Sequence, residues 1–286
     1  MTDVTDASRP TVRRARPARI ALRDLPTYAF LTVAAIASLF PLYFMLVSAT
    51  NTSRDVLNSR MLPGTHLMAN LHKLTDQQDL GGAMWHSTVN AVATTIAAVI
   101  VCSVAGYGFE IYHSRGKDRV MGLLLLSMMI PFAATMIPLF RAFADLNLIN
   151  STIAVILPAI STPVLILLFR QSARSFPHEI IESARLDGLN ELSIFFRIFV
   201  PAMRSTYAAA AVITFLAAWN NFLWPKVILL DNAYQTMPML VSNLTAGYVT
   251  DYGVLMLAVL IASLPTMVIF LALQRSFTQG ITGAIK

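Results

Sequence analysis

The chain has 286 residues, 56% apolar and 13% charged, with a formal charge of +6 at pH 7. Soluble domains carry about 25% charged residues, so a solvated globular domain is excluded as the main body. The surplus positive charge sits in Arg9, Arg13, Arg14, Arg16, Arg19 and Arg23, where it orients a membrane protein against anionic lipid and calls for no nucleic-acid partner.

Residues 1–24, rich in Arg, Pro, Ala and Thr, read as a disordered basic cytoplasmic tail. Crossing a hydrocarbon core about 30 Å thick takes about 20 apolar residues of helix. Windows of that length without charge (His aside) are Leu25–Ser53, Leu80–Phe109, Val120–Phe140, Leu146–Phe169, Ser205–Pro225 and Tyr252–Gln274. Backbone in hydrocarbon must satisfy its own hydrogen bonds, and strand-like alternation is absent. The expected fold is therefore an all-α membrane protein with six transmembrane helices. Of the 21 Lys and Arg, only Arg54, Arg60, Lys73, Arg141 and Lys226 fall in the segments opposite the N-terminus. The positive-inside bias then places both termini in the cytoplasm. The first span is expected to be retained, because the apolar run Tyr28 to Val47 exceeds the roughly 7–15 residues of a signal-peptide core.

Residues 50–85 form the longest external segment and are expected to hold short interfacial helices. Cys102, the single cysteine, allows no intramolecular disulfide and no cysteine-based metal site. The short loop at 141–151 predicts a hairpin of spans three and four. A second external loop covers 226–251. Proline falls inside several windows, at Pro41, Pro131, Pro138, Pro158, Pro163 and Pro265; each removes a backbone donor and can kink a helix. No charge lies at mid-depth in any span, which disfavours proton relays and ion coupling. Another source of energy is required. The transmembrane domain spans 25–274, and residues 275–286 read as a cytoplasmic C-terminal tail.

One segment stands apart, the polar insert 175–201 between spans four and five. Pro177 suits a helix start. Glu179 and Glu182 lie where the helix dipole favours them. Ile180, Ile181 and Ala184 share a face. Asp187-Gly188 breaks the helix, and Asn190 caps a second one. Its apolar stripe is Ile194, Phe195, Ile198 and Phe199, and Pro201 is expected to end it. The product is a helix–elbow–helix with one apolar face. By shape alone, a hairpin lying on the membrane surface fits equally well.

This insert resembles the cytoplasmic loop of binding-protein-dependent ABC importer permeases, whose pattern is E-A-A-x-x-D-G-A, eight residues, then I-x-L-P. Glu182, Ala184, Asp187, Gly188, Ile198 and Pro201 match, whereas Ser183, Leu189 and Val200 depart. GYGFEIYHSRGKD, MIPFAATMIPLF, AWNNFLWPKVIL, VTDYGVLMLAVLIASLP and QRSFTQGITGAIK are similar, in order, to pieces of the carbohydrate-uptake branch that includes maltose-type permeases. The resemblance implies a bacterial inner-membrane, multi-pass permease subunit for a sugar or oligosaccharide. Its implied partners are a second permease, two ATP-binding subunits and an external solute-binding protein. ATP would bind the partner, so the chain itself carries no cofactor, no metal and no catalytic residue. Glu182, Ala184, Asp187 and Gly188 would meet the ATPase through a coupling helix. Pore-facing candidates are Asn90, Thr94, Thr135, Thr214, Asn220 and Asn221. Trp219 reads either as a packing residue or as a stacking face for a sugar.

Competing motifs fail on detail. Gly106-Tyr107-Gly108 lacks the Thr-Val that leads a potassium filter. Gly116-Lys117 has Asp118 where a phosphate-binding loop needs Ser or Thr. The alternatives carried forward are an ABC permease for another solute, such as polyamine or phosphate, and an ion-coupled secondary transporter.

Overall fold

A computed structural model describes residues 25–283; the basic tail predicted over 1–24 and the last residues of the C-terminal tail lie outside them. The chain divides into two compact units, one ending at Phe44 and the other starting at Met45. In the first, the helix that begins at Leu25 exposes Phe30, Val33 and Ile36, and stacks the rings of Phe40 and Phe44 6.4 Å apart. Pro41 lies inside this helix without ending it.

Among the described residues all regular structure is helical. Three helices among the described residues are long and apolar enough to cross a membrane: Pro26–Ala49, Leu80–Ile111 and Tyr252–Ala272. Three further helix pairs are long and apolar enough only when taken together, and each is bent at a short break. Arg115–Ser127 meets Phe132–Asp145 at 100°, Thr152–Ala159 meets Pro163–Arg174 at 49°, and Glu191–Ala202 meets Arg204–Trp219 at 81°. Counting each bent pair as one span gives up to six among the described residues, the number of charge-free windows, although Glu191–Ala202 belongs to the polar insert and lies outside the fifth window.

The window limits shift at those breaks. Pro131 sits at the cap of the second half of span three, and Pro163 opens the second half of span four. Neither can donate a backbone hydrogen bond to the preceding turn, so the helix stops and restarts. Pro138 and Pro265 lie within continuous helix instead. Span five ends at Trp219, and a separate short helix Leu223–Ile228 follows, so the predicted run to Pro225 does not form one helix.

The breaks divide the interior into separate cores. Met121, from the first half of span three, packs with Leu165, Ile166 and Phe169 of the second half of span four, and with Ala98, Cys102 and Ala210. Phe143, from the second half of span three, packs with Ala154 and Val155 of the first half of span four, and with Trp224, Ile228 and Met239. Trp224 donates its indole N–H to the Ala154 carbonyl at 2.8 Å. The Asn150 Oδ1 accepts from the amides of Leu230 at 2.6 Å and Asp231 at 3.1 Å.

Span two runs unbroken through both neighbourhoods and packs on Pro163–Arg174 and Arg204–Trp219. The segment 50–85 forms the expected short helices, Ser53–Leu57 and Leu67–Gln77. The buried Asn70 amide fastens them to the end of the first helix by donating to the carbonyls of Ala49 (2.9 Å) and Asn51 (3.0 Å).

Candidate functional site

The insert folds as helix His178–Leu186, an elbow, and helix Glu191–Ile194 continuing into Phe195–Phe199. Gly188 takes φ +82°, a left-handed conformation that suits glycine. The Gly188 amide donates to the Arg185 carbonyl at 3.0 Å and the Leu189 amide donates to Ala184 at 3.1 Å. These two bonds form a Schellman cap, which satisfies carbonyls that a helix end leaves free. An apolar residue after the glycine is part of that cap, because it packs back on the last turn. Leu189 does so beside Ala184, which gives its departure from the family pattern a local reason. Asn190 caps the second helix, accepting from the Ser193 amide at 2.8 Å.

Two details differ from the sequence reading. Ile181 and Ala184 are buried, but Ile180 is 45% exposed, so it leaves their shared face. Pro201 does not end the second helix. The Val200 amide bonds back to the Phe195 carbonyl, a five-residue π turn, and helix continues over Val200–Ala202. The widened turn accommodates a residue with no N–H to offer; the chain bends only at Met203.

The elbow's buried side is aromatic. Tyr107 of span two sits 5.2 Å from Phe195 and 4.9 Å from Phe199 between ring centroids. Phe176 meets Phe199 at 5.8 Å. On the exposed side, Arg185 pairs with Glu191 across the bend at 2.7 Å. That carboxylate holds the Arg185 guanidinium above its ordinary pKa. Glu182, Asp187 and Gly188 are exposed. Ala184 and Asp187 line a surface hollow of about 390 Å³ with Glu179, Ser183, Leu189 and Ile198, whereas Glu182 and Gly188 lie outside its lining. Nearby, Arg170 joins the ends of three spans, at 3.0 Å from Glu110 and 2.7 Å from Asp118.

A second site lies within the helices. A cleft of about 230 Å³ opens between spans two, four and five, and Asn90, Thr94, Thr214 and Asn221 supply polar groups to it. Thr135 and Asn220 do not line it. Thr135 donates its hydroxyl to the Phe132 carbonyl in its own helix, and Asn220 donates its amide to Leu216. Trp219 is 2% exposed and donates to the Ala262 carbonyl at 3.0 Å, stacked on Phe215; it packs the core and offers no face to a sugar. Thr162, also in the cleft, was not singled out by the sequence. A hydroxyl between two apolar runs was its only signal.

The fold is a bundle of long and bent helices carrying a capped elbow, and comparison gives the class of protein to which such a bundle belongs here. Residues 98–283 match the model of the binding-protein-dependent transport system inner membrane component family, and the chain belongs to that family. It is 41% identical to the lactose transport system permease protein LacG of Rhizobium radiobacter, over 96% of this chain and 99% of that one. It is 34% identical to the arabinooligosaccharides transport system permease protein AraQ of Bacillus subtilis (strain 168), over 90% and 94%. The fold superposes with TM-score 0.79 on a chain of a bacterial ABC transporter involved in the import of the acidic polysaccharide alginate. The sequence identity there is 17%, with 92% of this chain and 100% of that chain covered.

Proposed function

We propose that this chain is one permease of an ATP-driven importer for a neutral saccharide, with both termini in the cytoplasm. It pairs with a second permease, two ATP-binding subunits and an external solute-binding protein. It binds no ATP and catalyses no reaction; the partner subunits hydrolyse ATP. Relatives named for lactose and arabinooligosaccharides support a saccharide, and a cleft lined by no charged side chain supports a neutral one.

One observation carries the mechanism. The elbow at Gly188 projects an exposed, rigidly capped bend, while its apolar back is held by Tyr107 of span two. A lever needs both properties. A membrane-surface hairpin would turn its apolar side to lipid, but here Ile181, Ile194 and Phe199 are buried against the protein. The ATPase subunits receive the bend, and their closure on ATP rocks the spans between inward- and outward-facing states.

Gly188→Glu tests this reading. A Cβ at Gly188 meets nothing within 4 Å in this chain, so the protein still inserts, although the left-handed φ is strained. Uptake by the assembled complex is lost. Normal uptake by this variant, or uphill uptake without the ATPase subunits, overturns the reading.

A further inference from the structure

Span two ends at Ile111, and the chain turns at once into Arg115–Ser127, the first half of span three. A helix end leaves its last carbonyls without partners in the helix. Lys117, in the first turn of the next helix, reaches back to this end. Its Nζ donates to the Gly108 carbonyl at 3.0 Å and to the Tyr112 carbonyl at 2.7 Å. The same ammonium lies 5.2 Å from the centroid of the Tyr112 ring. Tyr112, 43% exposed at the turn, is thereby fixed to the start of span three.

A second cation meets that ring. The Arg185 guanidinium of the elbow lies 6.0 Å from the same centroid. Arg185 also closes the bend with a two-pronged pair, Nε to Glu191 Oε1 at 2.7 Å and Nη2 to Oε2 at 3.3 Å. The Glu191 carboxyl is held below its ordinary value first by Arg185 and then by the Tyr112 hydroxyl. An exposed ion pair is worth little when its two long side chains meet only each other. Here the planar fork is fixed by the carboxylate and its charge is attracted by the ring as well.

Tyr107 already holds the elbow's buried side through Phe195 and Phe199. One contact is a pivot, about which a lever can turn without moving anything else. Tyr112 lies five residues further on, about 7.5 Å at 1.5 Å per residue, and holds the exposed side. Two separated holds remove that freedom. They also lead to different helices, because Tyr107 belongs to span two whereas Tyr112 is tied through Lys117 to span three.

We infer that Tyr112 is a positioning residue for transport, the joint through which the elbow moves the first half of span three, its ring holding Arg185 of the elbow and Lys117 of span three together. The inference rests on the coupling reading above and adds a second grip, separate from Tyr107, together with the helix that it drives.

The test measures uptake per ATP hydrolysed by the complete complex, with its binding protein, in proteoliposomes. Lactose, arabinose oligosaccharides and sn-glycerol 3-phosphate are offered first, with and without the ATPase subunits. Tyr112→Ala should keep its ATPase subunits and hydrolyse ATP, while uptake per ATP falls by about two- to fivefold, the worth of one exposed cation–π contact. Tyr112→Phe keeps the ring and should stay near wild type. Arg185→Gln should lower the same ratio, and Tyr112→Ala with Arg185→Gln should be no lower than the worse single variant, since both cut one connection. An unchanged ratio in Tyr112→Ala, a fall in Tyr112→Phe equal to that in Tyr112→Ala, or losses that multiply in the double variant overturn the inference and leave the coupling reading standing. ATP-driven uptake of none of the three solutes, or uphill uptake without the ATPase subunits, overturns the coupling reading and the inference with it. Should Tyr112→Ala fail to assemble, Tyr112→Leu carries the same cycle; failure of both to assemble overturns the inference in favour of a folding role.

Discussion

Gly106 and Phe169 bring two spans into backbone contact. A Cβ on Gly106 would fall 2.6 Å from the Phe169 Cβ and 2.8 Å from the Arg170 amide nitrogen. Rigid backbone cannot yield as a side-chain tip can. Gly106→Val should therefore force spans two and four apart at a cost of about 1–3 kcal/mol. Gly108, two residues on, has nothing within 4 Å of its virtual Cβ, so Gly108→Ala should be nearly silent. Thermal unfolding in detergent separates the two, and equal melting temperatures would contradict the close approach.

Arg170 joins Glu110 and Asp118 with only 17% of its side chain exposed, and Glu110 is 13% exposed. Arg170→Ala strands a mostly buried carboxylate at the end of span two. Removing one member of such a set typically destabilises more than the pair itself contributes. A loss of about 2 kcal/mol is expected for Arg170→Ala, and the double change Arg170→Ala with Glu110→Gln should recover part of it. Unfolding midpoints of the single and double variants check this.

Tyr107 makes ring contacts with Phe195 and Phe199, while its buried hydroxyl has no hydrogen-bond partner among the described residues. Tyr107→Phe should thus transport normally. Tyr107→Ala removes the contact between the elbow and span two. In the assembled complex, ATP hydrolysis should continue while uptake falls at least severalfold. Tight coupling in Tyr107→Ala would show that force reaches the spans by another route.

Acid should loosen the short helix Ser53–Leu57. Asp55 is held below its ordinary value of 3.8, first by the Thr52 hydroxyl and then by Arg60. A carboxyl with a depressed pKa lends stability that is present above its unfolded pKa and lost as pH falls through its folded one. The helix should be protected at neutral pH and fray below the ordinary carboxylate range. Thr52→Ala should move that onset upward, as seen by hydrogen exchange of the 53–57 amides at stepped pH.

Much of this molecule is legible in its letters. Long windows without charge mark the six spans, because hydrocarbon leaves a helix few alternatives. Asp187-Gly188 followed by Asn190 spells out the elbow, since each residue type has one backbone task there. The breaks are less legible, because proline either interrupts a membrane helix or is absorbed by it. Pro131 and Pro163 interrupt, whereas Pro138 and Pro265 are absorbed. The π turn before Pro201 has no pattern of its own in the sequence. Polar candidates inside spans sort only when the faces are known: Asn90, Thr94, Thr214 and Asn221 converge, while Thr135 and Asn220 turn to their own backbones.

The divided interior has a mechanical meaning. Met121 belongs to one packed body and Phe143 to another, although both come from span three. Trp224 and Asn150 bolt the latter body to the segment that follows span five. An airlock needs two doors that never swing as one piece. Here the doors would hang on separate frames, with hinges at Met128–Pro131 and Ile160–Thr162, and the unbroken span two standing as the shared post.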